Sequence, residues 1–263
     1  MENNVLIILG MHRSGTSLTA QWLQKCGLNI GDNLMPAHFS NKDGHFEDMD
    51  FHDLHEEIFR NHNIPYGGFE NIESFKPTCE EVNKIADLVN KKNTLYKQWG
   101  WKEPRTCLFI DEYLKLIPNA VILLIIRDYN AVINSLINRD VNSIEQSLLN
   151  SGRLGKLRLL KYKVTKGKKE KRKLGNRYSL ALKHYYTKLL KLNSPNIIHL
   201  KFEDILINEN KITNDIESLG FQLNNKIKLS SIIKNNYINA KNKCKYVTDR
   251  QSIEELQARL LSL

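Results

Sequence analysis

Residues 5–17 read VLIILGMHRSGTS, and the rest of the chain is interpreted outward from this stretch. Residues 5–9 form a short, wholly apolar run, the pattern of a parallel strand covered on both faces. Gly10 and Gly15 punctuate the loop that follows. Leu18, Trp22 and Cys26 then recur every four residues along one helical face, and Gly27 stops the helix. This is a strand–loop–helix unit. A second one starts with the β-branched run 121–126, followed by Arg127, Asp128 and a helix carrying Ala131, Val132 and Leu136. A third candidate strand, 197–202, follows Pro195 and precedes helical text over about 210–219, closed by Gly220. Polar helical stretches are expected over about 50–62, 79–97 and 143–192, with a short amphipathic helix from Ser252. The alternation predicts an α/β fold of three layers, a mainly parallel central sheet flanked by helices. In such sheets ligands sit beyond the carboxyl ends of the strands, so the residues after Leu9, Ile126 and Phe202 come first in the search for a site.

Length and composition set the frame. The 263 residues suit one domain, 1–263, with a basic helical or loop insertion at about 153–177. Hydrophobic residues make up 41% and charged residues 26%, enough for a folded core and too apolar for a disordered chain. Cys26, Cys79, Cys107 and Cys244 form no CxxC pair, which argues against a zinc site or a disulfide framework and favours a reducing compartment. The apolar run at 5–9 is too short for a membrane span, so a cytoplasmic protein with no transmembrane segment is expected. Net charge is +10, and residues 153–177 hold twelve Lys or Arg against one acid, Glu170. Nucleic acid, an anionic glycan and a membrane surface all suit such a segment; a merely solvated loop suits it equally.

Residues 10–17, GMHRSGTS, match the nucleotide-binding pattern GxxxxGK[ST] at Gly10, Gly15 and Ser17, with Thr16 in place of the lysine. The glycines allow backbone amides to turn inward, and the helix that starts there adds a positive dipole end. That suits phosphate or sulfate. Without the lysine, ordinary ATP or GTP hydrolysis is disfavoured. Arg13 supplies a charge inside the loop, where a glycine-rich turn with a surface arginine is the plainer alternative. Arg127 stands at the end of a strand, and Ser135 and Arg139, four apart, share one face of the next helix. If the two strands are neighbours, the two anion pockets suit one nucleotide with phosphates at both ends of its ribose.

These residues resemble a known family. HRSGTS after a strand is similar to the 5′-phosphosulfate loop of sulfotransferases that use 3′-phosphoadenylyl sulfate (PAPS, leaving PAP), and Arg127 with Ser135 resembles their 3′-phosphate motif. Arg139 falls where tyrosylprotein sulfotransferases carry a further cofactor-contacting arginine. GHFED at 44–48, GWKEPRT at 100–106 and HLKFEDIL at 199–206 resemble short signatures of the bacterial family, with Phe202 replacing a common tyrosine. The resemblance runs from about residue 5 to 220.

The resemblance implies a sheet of about five strands, PAPS as donor and no metal. It implies cofactor binding by Arg13, Ser14, Gly15, Thr16, Ser17, Arg127, Ser135 and Arg139. Glu47 is the expected general base, with His45, Asp43 and Asp48 as competitors. Lys102, with Arg13 sharing the work, is expected at the bridging oxygen of the leaving group. Arg105 either orients the acceptor, braces Glu47, or pairs with Glu103 or Asp111. No late glycine loop is recognisable, and Lys241, Lys243 and Lys245 are substitutes for it. The expected acceptor is a hydroxyl (or amine) of a carbohydrate or glycoconjugate, with no nucleic-acid partner. The rival readings are a magnesium-dependent phosphotransferase with a deviant loop and a non-catalytic protein that binds an anionic polymer.

Overall fold

The computed structural model describes residues 3–36, 44–233 and 243–262. Strand β1 (Asn4–Leu9) lies inside a parallel sheet, between β2 (Gln98–Lys102) and β3 (Val121–Ile126); β4 (Ile197–Lys201) pairs with β3 to complete the order β2-β1-β3-β4. The central position of β1 and β3 follows from their sequences: neither carries a charge, and only strands covered on both faces tolerate such runs. Side chains alternate between two cores. Ile7, Leu9, Ile122, Leu124 and Ile126 enter the larger one, which α4 (Thr106–Leu116), α5 (Tyr129–Leu149) and α7 (Gly167–Leu189) cover. Leu6, Ile8, Leu123 and Ile125 enter the smaller one, beneath α1 (Thr16–Lys25) and α8 (Glu209–Ser218). The three-layer arrangement is as expected.

Four strands are present among the described residues, against about five implied by the resemblance. The composition-based reading also passes over β2. Its sequence, QWGWK, has no β-branched run, yet Trp99 and Trp101 alternate onto one face and pack with Phe51, whose ring is 4.3 Å from that of Trp101. Gly100 is required between them, since a Cβ there would come within 2.3 Å of the Leu6 carbonyl oxygen.

The expected helix α2 (Met49–Asn61) forms, as does α3 (Cys79–Leu95). The stretch over 143–192 is divided: α5 ends at Leu149, α6 (Gly155–Thr165) follows a turn at Gly152, and Lys166 separates α6 from α7. Phe202 leaves the strand and opens a short 3₁₀ turn. The tail forms α9 (Arg250–Leu261), which packs on α5 and α7. No described helix is long and apolar enough to cross a membrane.

Candidate active site

The loop after β1 is built on positive-φ backbone: Arg13 has φ 68° and Gly15 φ +96°. Only glycine fits position 15, because a Cβ would fall 2.0 Å from the Phe202 ring. The Ser14 amide donates to the Met11 carbonyl (3.0 Å) and closes the turn, and α1 begins at once with Thr16. The positive end of its dipole therefore opens onto the loop.

Because β1 and β3 are paired, with Leu9 opposite Leu124, the second expected pocket lies beside the first. The two are joined by direct contacts. Arg13 Nε donates to Ser135 Oγ on α5 (2.9 Å), and Arg127 Nη1 donates to the Arg13 carbonyl (3.0 Å). The Arg127 guanidinium also lies 4.9 Å from the Phe202 ring centroid. A cleft of about 330 Å³ opens here, and Arg13, Gly15, Thr16, Ser17, Arg127 and Arg139 all contribute to its wall. Ser14 is buried, and Ser135 stands against the Arg13 side chain. Arg139 is held by Asp140 (2.7 Å) and the Tyr178 hydroxyl (3.2 Å).

Glu47 reaches the same cleft from the segment before α2, and Lys102 Nζ donates to its Oε1 at 2.6 Å. Lys102 has no exposed surface and is not part of the cleft wall, whereas Glu47 is 8% exposed and lines it. Burial pulls the Lys102 pKa below the usual lysine value, opposed by the Glu47 charge. The resemblance placed Lys102 against the leaving oxygen; in this structure the ammonium is instead sealed behind Glu47.

The neighbouring residues are occupied structurally. Arg105 does not brace Glu47. Its Nε donates to Glu103 (2.7 Å), and its other nitrogens to the carbonyls of His52 (3.1 Å) and Tyr66 (3.2 Å). The second Glu103 oxygen accepts a hydrogen bond from His55 Nδ1–H (2.6 Å), while the Tyr113 hydroxyl donates to His55 Nε2 (2.8 Å). Burial lowers the His55 pKa, which fits this neutral tautomer. Asp48 caps α2 through the Asp50 amide (3.0 Å) and pairs with Lys92 (2.5 Å), so it is no competitor as base. His45 lines the cleft. Asp43 and Lys241 lie outside the described residues. Lys243 and Lys245 are exposed and do not line the cleft, whose described wall includes Ser231 and Ile232.

Several wall residues escaped the sequence reading. Gln21 and Lys25 follow the expected Ser17 at four-residue spacing along α1 and line the cleft with it, a spacing visible in the sequence. His12 had no such signal. Its ring is 4.8 Å from Phe69, and its Nε2 is buried with no hydrogen-bond partner among the described residues. Burial lowers its pKa to about 3, so the imidazole is neutral. A second cleft of about 480 Å³ adjoins the first and shares His12, His45, Glu47 and Arg139 with it; Tyr66, Phe69 and Ser143 belong to its own wall.

A parallel α/β sheet with a lysine-free glycine loop and an arginine at the end of the adjacent strand defines a class of anion-binding folds. Residues 6–221 match the sulfotransferase family, and the chain belongs to that family. Among solved structures, the chain is similar to sulfotransferase STF9 from Mycobacterium avium (15% identity, TM-score 0.55), over 100% of this chain and 77% of that one. A weaker likeness is to the sulfotransferase domain of the olefin synthase of Synechococcus PCC 7002 (14% identity, TM-score 0.47; 98% and 95% covered). No curated protein matches the sequence significantly.

Proposed function

We propose that this sulfotransferase moves a sulfuryl group from PAPS to a hydroxyl or amine of a carbohydrate or glycoconjugate acceptor. The observation that carries the donor assignment is the pair of contacts joining the two anion pockets, Arg13 to Ser135 and Arg127 to the Arg13 carbonyl. A ligand bearing an anionic group at each end of one ribose fits pockets built as a single unit. The amides of residues 15–17 and the start of α1 hold the phosphosulfate side, and Arg127, Ser135 and Arg139 the 3′-phosphate side. The glycine that only a bare backbone permits at position 15 keeps the loop seated on Phe202.

The acceptor enters through the second cleft, where the exposed Tyr66 offers an aromatic ring of the kind sugar rings pack on and Ser143 a hydroxyl. Glu47 borders both clefts and is the proposed general base. It takes the acceptor proton as the acceptor oxygen bonds to sulfur and the bridging S–O bond breaks, with PAP leaving with the electron pair. Lys102 acts through Glu47, holding the carboxylate in place, and is a positioning residue. Arg13 and the loop amides stabilise charge on the leaving side. The four cysteines are free, which suits a reducing, cytoplasmic setting. The helices of residues 153–189 pack onto the sheet-side helices, in support of one catalytic domain.

Thermal shift tests the donor site. PAP without magnesium is expected to stabilise the fold, by about 2.7 kcal/mol at a hundredfold excess over Kd. Stabilisation by ATP or GTP that requires magnesium would favour a phosphotransferase instead. Transfer from radiolabelled PAPS into a panel of glycans, peptides and small alcohols then tests the acceptor.

A further inference from the structure

Helix α6 presents an apolar ridge to solvent. Leu157, Leu160 and Val164 are spaced i, i+3, i+7, which puts them on one face, and they are 62%, 60% and 78% exposed. Leu154, just before the helix, is 58% exposed. The opposite face is already used: Gly155 is buried, Leu159 and Tyr162 are half-buried, and α6 packs on α5 and α7. A Cβ at Gly155 would come within 2.1 Å of the Leu149 carbonyl oxygen, so α6 is seated tightly on the end of α5. Lys163 ties the helix to Glu145 at 3.0 Å. The ridge is therefore the outward face of a docked helix.

Cations border that ridge. With 3.6 residues per turn, Lys156 and Lys163 lie along one side and Arg158 and Lys161 along the other, and α6 contains no acid. Of the twelve Lys and Arg at 153–177, only Lys163 and Arg177 form ion pairs among the described residues. We propose that α6 is an interfacial helix that docks the enzyme onto a bilayer containing anionic lipid, its ridge in the acyl boundary and its cations among the headgroups.

Charge alone would equally admit a nucleic acid or an anionic glycan. A polyanion in water, however, leaves the three aliphatic side chains as exposed as before, whereas a membrane surface satisfies both halves of the pattern. A second copy of the chain is disfavoured, because two such faces repel. This inference does not depend on the donor or acceptor assigned above.

Vesicle sedimentation of the full chain tests it. Binding is expected to phosphatidylcholine vesicles containing about 30 mol% phosphatidylglycerol, and at least about tenfold weaker binding to phosphatidylcholine alone. The variant L157S/L160S/V164S keeps every cation and alters only exposed positions. It is expected to bind anionic vesicles at least about tenfold more weakly, while retaining its affinity for immobilised heparin and its melting temperature. The variant K156Q/K161Q is expected to lose affinity for both vesicles and heparin. Failure to bind anionic vesicles would overturn the proposal. So would unchanged vesicle binding by the serine variant, which would make the segment a general polyanion surface. Both outcomes leave PAP-dependent stabilisation, the readout for the donor site, unaffected.

Discussion

Two buried ion pairs start from adjacent residues at the end of β2 and meet different fates. Lys102 pairs with Glu47 at 2.6 Å, and Glu103, the next residue, with Arg105 at 2.7 Å. Both Glu103 oxygens are engaged, by Arg105 and His55, and Arg105 spends its remaining nitrogens on two backbone carbonyls. That network is closed. The Glu47 carboxylate has the buried Lys102 on one side and two clefts on the other. A closed network fixes the shape of the core, whereas a carboxylate anchored on one side and open on the other is able to exchange a proton with a ligand. The contrast separates the residue proposed for chemistry from those that hold it, although all of them are charged and close in sequence.

The sharpest test is Glu47→Gln. Transfer should fall by about 10²–10⁴-fold, the usual worth of a general base, with PAP-dependent thermal stabilisation preserved. Near-normal turnover would move the role to His45 or Asp43. Breaking the closed network should act on stability instead. Arg105→Ala leaves Glu103 buried without its main cation and is expected to cost about 3–5 kcal/mol in urea unfolding, while the folded fraction keeps its kcat at low temperature. A kcat collapse at unchanged stability would erase the distinction between the two pairs.

On the donor side, Arg127→Ala should abolish the PAP-induced rise in melting temperature. Ser135→Ala, which removes one hydrogen bond to Arg13, should cost only about 1 kcal/mol of PAP binding. Stability itself should depend on pH. His12 titrates at about 3 in the folded protein against 6.5 unfolded, so the unfolded chain binds more protons in between. Its contribution to stability is therefore lost as pH falls from 6.5 towards 3. Burial pushes the Glu103 carboxyl up, but Arg105 and His55 together hold it below the ordinary carboxylate range, so its contribution is present at neutral pH and lost as pH falls below 4.5. Urea midpoints measured from pH 7 to pH 4 should decline, and His12→Gln should flatten the upper part of that decline.

Much of the donor side was legible in the chain because it rests on backbone and on strand ends. Gly10, Gly15 and Arg127 announce themselves by position after an apolar run, and a parallel α/β sheet fixes where such positions point. The acceptor side was less so. β2 hid behind a Trp-Gly-Trp alternation that lacks β-branched residues, and α4 gave no start signal strong enough to read. Arg105 and Lys102 look alike in sequence, both basic and both near Glu103, and only their partners tell them apart.

Local pattern therefore determined the strand–loop–helix units, the lysine-free anion loop, the arginine beyond Ile126 and the density of charge over residues 153–177. Tertiary structure alone decided that β1 and β3 are neighbours, that Arg13 meets Ser135, that Lys102 sits behind Glu47 and that Leu157, Leu160 and Val164 face outward. The reason is range. Periodicity and turn chemistry act within a few residues, but the partners of Lys102 and Arg13 lie 55 and 122 positions away, and the exposed side of α6 depends on how α5 and α7 pack against it, which only the assembled fold specifies.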